Sequence, residues 1–264
     1  MTTSTFKYID PTTIPPSTTP WAKVDTDVTA FSLTTRRRSV SNIRDLAPGA
    51  FGTDISGFDV FHAPAKEKAF TDDSAVRGGY YAEVEALLRD KLPGVQRVVL
   101  FDHTIRKHDP AAPRQPVQQV HVDQTPEAAA ARVRRHLPAA EAEDLLRGRY
   151  QIINIWRPIG HPAADFPLAV VDWRTTEPED LVRVSLLYPK RAGGGEDDDG
   201  DDRGKEVLPD PATAASTEGY EIKGESAGAG REWPLCRRRE LTCRQAKHMA
   251  SRPTTSTSSF MSRT

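Results

Sequence analysis

The residues with the clearest chemistry are His121 and Asp123, in the stretch PVQQVHVDQTP from Pro116 to Pro126. Val117 to Val122 alternates polar and apolar residues loosely and contains three valines, a pattern that predicts a strand. Successive side chains of a strand leave opposite faces, so His121 and Asp123 project from the same one. An imidazole and a carboxylate so placed are two of the three ligands of the facial triad that holds non-haem Fe(II) in oxygenases. The third ligand of such a site is a second histidine, brought in by a later strand. Against this stands the plainer reading of a surface strand with two polar side chains, because H-x-D is short and recurs by chance.

Other side chains could serve the same site. On the strand predicted at Arg149 to Trp156, Asn154 and Trp156 share one face while Ile153 and Ile155 share the other. An amide and an indole aimed into a barrel would line a pocket. Equally, Trp156 belongs to a core and Asn154 satisfies a buried backbone group. Arg157 offers a planar fork that holds a carboxylate, or it forms a salt bridge to Asp165 or Asp172. Asn154 and Arg157 are thus the candidate cofactor-binding residues, with His121 and Asp123 the candidate metal ligands; no catalytic acid, base or nucleophile is assigned. His136, after Arg134-Arg135 on a predicted helix, and His161, before Pro162 in a loop, read as solvated or structural. His161 is the fallback third ligand, because a loop between strands can reach a sheet face. Cys236 and Cys243 stand seven apart with no histidine at metal spacing, which argues against zinc.

The elements that must position these residues follow from periodicity and punctuation. Tyr80 to Leu92 spaces Tyr81, Val84, Leu87 and Leu88 at three- and four-residue steps, predicting an amphipathic helix closed by Pro93-Gly94. Val95 to Phe101 reads as a buried strand. Thr125 is an N-cap and Pro126 a first helical residue, opening a helix through AAAARVRRHL. A second helix, Ala139 to Leu146, ends at Gly148. Further strands are predicted at Arg149 to Trp156, Leu168 to Trp173 and Leu181 to Leu187. Ile43 to Phe61 suits short strands and turns around Gly49, Gly52 and Gly57.

The flanks read differently. Residues 1 to 50 are rich in Thr, Ser and Pro, and Arg36-Arg37-Arg38 reads as a solvated loop or a salt-bridging edge. Gly193 to Asp202, GGGEDDDGDD, is an acidic run expected to be disordered; it lacks the spaced ligands and closing Glu of a calcium loop. The expected organisation is a folded domain over 20–190, an acidic and Gly-rich disordered linker over 191–230, and a basic, Ser/Thr-rich tail of unclear structure over 231–264. The natural architecture is α+β, a β-rich core flanked by helices.

Composition narrows the class. With 264 residues the chain is long enough for one sizeable domain and a tail, or for two small domains. A net charge of −1 gives no reason to expect nucleic acid or an anionic membrane as partner. Two cysteines form no disulfide framework, and neither a secretory leader nor an apolar run of membrane-spanning length is visible. The expectation is a cytoplasmic protein whose partner is a small molecule; the oligomeric state is not legible.

Several segments, in order, resemble a known family: GFDV (57–60), YYAEVE (80–85), VVLFDHTIR (98–106), PVQQVHVDQT (116–125), RVRRHL (132–137), YQIINIWRPI (150–159), DFPLAVVDWR (165–174) and EDLVRVSLLYP (179–189). Their order and spacing are similar to the asaB-type hydroxylase/desaturases of fungi and bacteria, which include gibberellin-desaturase-like and cephamycin-hydroxylase-like proteins. The resemblance implies a double-stranded β-helix (jelly-roll, cupin-like) core, binding of Fe(II) and 2-oxoglutarate, and hydroxylation or desaturation of a small secondary metabolite. It also makes His103, in FDHTIR, a candidate for contact with the metal or its ligands, against the equal alternative of a histidine hydrogen-bonded at a strand end.

The chain departs from the family towards its C-terminus. Members continue, after the equivalent of Tyr188-Pro189, through a tryptophan-rich strand to a second metal-binding histidine in a proline-histidine-threonine context, then a proline-arginine-glutamate segment. Here Glu221 to Glu225 still resembles the family and Arg231 to Trp233 keep an arginine-tryptophan character, but nothing matches from Pro234 onward, and His248 sits in KHMAS. The core is therefore expected to be incomplete at the C-terminus. Three functions compete: an Fe(II) oxygenase; a catalytically incomplete family member or mis-spliced fragment acting at most as a binding module; and a cupin-like ligand binder without redox chemistry.

Overall fold

The computed structural model describes residues 2–24, 26, 28–106, 116–163, 167–187, 218–224, 233–236, 241–245 and 255–263, the last three stretches as backbone only. In chain order the strands are β1 (Thr2–Ile9), β2 (Trp21–Lys23), β3 (Leu33–Asn42), β4 (Phe58–His62), β5 (Val95–Ile105), β6 (His121–Val122), β7 (Arg149–Trp156), β8 (Leu168–Ala169), β9 (Leu181–Leu187), β10 (Glu218–Ile222), β11 (Trp233–Cys236), β12 (Leu241–Gln245) and β13 (Thr255–Arg263). The longer helices are α1 (Tyr81–Lys91), α2 (Pro126–His136) and α3 (Ala139–Arg147). They assemble into sheets of order β1-β3-β11-β8, β2-β9-β10-β6 and β4-β12-β7-β13-β5. Strands distant in sequence lie side by side, as where β10 pairs antiparallel with both β6 and β9. This is an α+β fold of the cupin type, a double-stranded β-helix with helices on its outside.

Local chemistry explains the helices. Thr125 accepts a hydrogen bond from Ala128 N at 3.2 Å and Pro126 fills the first helical position, so α2 starts where the sequence places it. Ala129 and Val133 of α2 and Ala142 of α3 then pack on Ile152 of β7. In α1, Val84 and Leu88 are buried with Val98, Ile153 and Ile155. A π-turn, Val76–Tyr80, precedes α1 and brings Tyr80 rather than Tyr81 fully into that core. Gly94 closes the helix–strand connection at φ +75°, a left-handed conformation that glycine adopts without steric cost. Val98, Val120, Ile153, Ile155 and Val170 are buried as their pattern requires, and Leu100 partly so.

The flanks depart from expectation. β1 pairs antiparallel along its whole length with Leu33–Val40 of β3, from Thr2–Val40 to Ile9–Leu33, so sheet structure begins well before residue 20. Arg36, Arg37 and Arg38 belong to β3 rather than to a loop, and Arg38 lies over the Tyr8 ring at 5.2 Å. The reason is physical: TTSTFKYI and LTTRRRSVSN form strands through β-branched and long amphipathic side chains, not through a run of apolar residues. The strand predicted over 168–173 is only two residues long, because Asp172 accepts a hydrogen bond from Arg174 N and turns Trp173–Thr175 into a 3-10 helix. β10 lies inside the span expected to be linker, and β11, β12 and β13 carry tail residues into the sheets. The acidic run at 193–202 lies outside the described residues. Among the described residues no helix is long and apolar enough to cross a membrane.

The end of α2 carries a pH dependence. His136 stacks on Phe101 with ring centroids 4.9 Å apart, and the Arg132 guanidinium lies over the same Phe101 ring. Burial first, then the positive charges of Arg132 and Arg135, push its pKa down from 6.5 to about 4. Between those values the unfolded chain binds a proton that the folded chain refuses, so this contribution is level above pH 6.5 and stability falls as pH drops towards 4. The full shift would amount to about 3 kcal/mol, which solvent screening of a half-buried ring reduces to about 1–2 kcal/mol. His136→Gln is expected to flatten the urea midpoint between pH 6.5 and 4; an unchanged slope would refute the assignment.

Candidate metal-binding site

β6 has only two residues in its ladder, and strands far away in sequence fix its register. On one side Val120 N donates to Lys7 O at 2.9 Å and Lys7 N donates to Gln118 O at 3.3 Å. On the other, His121 pairs with Glu221 and Val122 with Tyr220, while Ile222 N donates to Val120 O at 3.2 Å. Val120 and Val122 enter a core with Tyr8, Val40 and Ile222. Strand alternation therefore sends His121 and Asp123 to the opposite face. His121 is 2% exposed, which is not the setting of a solvated surface histidine.

The donor atoms of the pair are sorted by their neighbours. His121 Nδ1 lies 2.9 Å from Gln119 O; a carbonyl only accepts, so Nδ1 carries the proton. In the neutral ring Nε2 then has its lone pair available, and it lies 3.4 Å from Asp123 Oδ1. Two donors each about 2.0–2.2 Å from one metal, at right angles, are about 3 Å apart, so this separation suits adjacent positions on one cation. Asp123 Oδ2 accepts from Asn154 Nδ2 at 2.5 Å. Imidazole nitrogen and carboxylate oxygen are the donor types that suit a divalent iron. Among the described residues, no group of three or more His, Cys, Asp and Glu is placed to hold a metal. The pair thus fits two positions of a facial triad, and the described residues do not furnish the third.

The other candidates disperse. Arg157 lies just beyond β7 on the side of Ile153 and Ile155, whereas Asn154 meets Asp123 on the other side of the strand. The Arg157 guanidinium lies 5.1 Å from the Tyr80 ring centroid, donates to Ala63 O at 2.8 Å, and lines a separate cavity of about 190 Å³ with Lys68, Phe70 and Ile159. Asp172, one of its expected partners, binds Arg174 instead, and Asp165 lies outside the described residues. Trp156 is core, packed with Ile43, Phe58, Leu168 and Val170. His103 meets Tyr81 Oη at 3.0 Å and Asp73 at 3.3 Å, and burial raises the Tyr81 phenol to about 12. His161 is exposed, with Nδ1 turned to Pro162 O, and does not complete the pair. His248 lies outside the described residues, as do the side chains of Cys236 and Cys243.

Two participants escaped sequence reading. Glu221 is 2% exposed and accepts from Gln119 Nε2 at 2.9 Å, on the same sheet face as His121. The alternation in EGYEI marks β10 as a strand, but nothing local reveals that its glutamate lies opposite a histidine a hundred residues earlier.

A family model described as an oxidoreductase/YMDC permease-like domain matches residues 6–197. The chain belongs to this family. The chain is 33% identical over 159 residues to Oxidoreductase AN1597 of Emericella nidulans, covering 55% of this chain and 53% of that protein. It is 41% identical over 123 residues to the Fe(II)/2-oxoglutarate-dependent dioxygenase nvfI of Aspergillus novofumigatus, covering 46% of this chain and 44% of that protein. It is 32% identical over 179 residues to the hydroxylase/desaturase poxK of Penicillium oxalicum, covering 66% and 53%. The chain spans about half the length of these curated relatives. Solved structures of the iron and alpha-ketoglutarate-dependent endoperoxidase NvfI superpose with TM-scores of 0.75 and 0.70 at 20% and 21% identity, covering 99% of this chain and 97% and 96% of those chains. The double-stranded β-helix architecture is thus shared with them.

The approach of β6 to β10 makes a prediction for this family member. A Cβ at Gly219 would lie 2.8 Å from Val122 O and 3.2 Å from Asp123 O, both backbone atoms of the segment that carries the pair. Gly219→Ala must push that segment away, and overpacking of this kind costs about 1–3 kcal/mol. The urea midpoint should fall accordingly; a midpoint equal to that of the parent would show that β6 is not held so tightly.

Proposed function

We propose that this chain carries the scaffold of an asaB-type Fe(II)/2-oxoglutarate-dependent hydroxylase or desaturase of small secondary metabolites. We further propose that it acts at most as a binding module, being catalytically incomplete with the donors described. The observation that carries this reading is the His121–Asp123 pair itself: two correctly sorted donors on one face, with no third among the described residues. The names of the fungal relatives, an Fe(II)/2-oxoglutarate-dependent dioxygenase and a hydroxylase/desaturase, supply the chemical class.

Fe(II) with a keto-acid supplies, when bound, the oxidising power needed to break an unactivated C–H bond. His121 Nε2 and Asp123 Oδ1 would hold the metal, with the Gln119 carbonyl keeping the imidazole proton on Nδ1. Of the two residues expected at the cofactor, Asn154 is kept at the site because it touches Asp123. Arg157 is not assigned there, since it serves a cavity on the other side of β7. Two protein donors hold Fe(II) weakly and reversibly, leaving too many positions to water for ordered chemistry.

Anaerobic Fe(II) titration of the full chain, with and without 2-oxoglutarate, tests this. Weak, reversible binding that disappears in His121→Ala is expected, with no consumption of 2-oxoglutarate in air. Turnover of 2-oxoglutarate by the chain as it stands would overturn the incomplete reading. An Fe(II) affinity unchanged in His121→Ala would overturn the metal assignment.

A further inference from the structure

The pair is held from two sides by residues that its own motif does not contain. Glu221 is a carboxylate 98% removed from solvent, a costly placement unless its oxygens are engaged. Its Oε1 accepts from Gln119 Nε2 at 2.9 Å, and the carbonyl of the same Gln119 accepts from His121 Nδ1 at 2.9 Å. Register places Glu221 directly across from His121, so the chain Glu221–Gln119–His121 stays within one face of neighbouring strands. On the other side Asn154 Nδ2 takes Asp123 Oδ2 and leaves Oδ1 turned towards His121 Nε2. Asn154 is set in β7 between Ile153 and Ile155, both 0% exposed, so the amide is anchored by core packing on either flank.

We propose that Glu221, acting through Gln119, and Asn154, acting on Asp123, are positioning residues that select which nitrogen and which oxygen of the pair face one another. Glu221, by holding the Gln119 side chain, reinforces the peptide that the Val120 N–Lys7 O hydrogen bond also holds, and with it the imidazole tautomer. Asn154 fixes the rotation of the carboxylate. The use of this arrangement rests on the reading of the pair as metal donors, but the arrangement is a property of the metal-free chain and can be measured there. Partners that orient metal ligands commonly change affinity by 10- to 100-fold when removed.

The test has two arms on the full-length chain. In the first, protein labelled with ¹⁵N-histidine and free of metal is examined by long-range ¹H–¹⁵N correlation at pH 8. His121 should appear as one tautomer with its proton on Nδ1. Glu221→Met, which keeps volume and removes the acceptor, should introduce the Nε2–H tautomer, and Glu221→Gln should restore the parent spectrum. Gln119→Ala, at a half-buried position, should reproduce the effect of Glu221→Met and serves if the latter does not fold. In the second arm, Co(II) binding is followed by its ligand-field absorption. Asn154→Ala should weaken it by about tenfold or more while the His121 tautomer stays on Nδ1.

A purely structural role predicts a lowered urea midpoint with the tautomer and the Co(II) spectrum unmoved; that result would overturn the proposal. If the parent chain binds no Co(II), the metal reading fails, while the tautomer arm still decides whether Glu221 and Gln119 position His121.

Discussion

A strand of two residues cannot hold its own register. β6 presents His121 and Asp123 on one face only because backbone hydrogen bonds reach it from Lys7 on one side and from β10 on the other. Those partners come from the beginning of the chain and from beyond residue 217, so the pair depends on closure of the whole β-helix. Shifting β6 by one residue would exchange the faces, driving Val120 and Val122 out of the core with Tyr8 and Ile222 and His121 into it. That penalty, two buried valine side chains at about 1.5–3 kcal/mol each, is what specifies the geometry of the pair. The apolar side of β6 therefore does as much for the chemistry as the polar side.

The polar side has the opposite economy. His121 and Glu221 are each 2% exposed, and a buried polar group is tolerated only when its hydrogen bonds are made. The Glu221–Gln119–His121 chain and the Asn154–Asp123 bond engage one oxygen of each carboxylate and one ring nitrogen, with partners on three different strands or strand edges. A network so distributed adds little net stability, because desolvation offsets most of its attraction. What it supplies is uniqueness of arrangement: the atoms facing the interior of the pair are decided by the atoms already bound behind it.

Much of this was legible in the sequence, and the reasons for the misses are specific. Alternation alone placed His121 and Asp123 on one face, and it put Asn154 and Trp156 on the face opposite to Ile153 and Ile155. Capping chemistry located α2 to the residue, since Thr125 and Pro126 act locally. The strands β1 and β3 were missed because threonine, serine and arginine can line a half-buried ladder without an apolar period, and only the partner strand reveals it. Arg157 was assigned to the cofactor on chemical type; one step of alternation past Trp156 sends it away from Asn154 towards Tyr80 and Ala63. Glu221 was invisible for a deeper reason, because its meaning is a cross-strand pairing with a residue a hundred positions away, which no local pattern encodes.

The same pairing explains why three acidic or imidazole residues on one face do not make a three-ligand site. Glu221 shares the face of His121 and Asp123, and a carboxylate is a competent ligand type. Yet its Oε1 is committed to Gln119, and it does not gather with the other two into a group placed for a metal. Rotating it inward would strain its bond to the Gln119 amide. On the proposed metal reading, the glutamate and a histidine from another strand would not be interchangeable, since the glutamate lies across the ladder on the Gln119 side while a third donor would have to approach Nε2 and Oδ1.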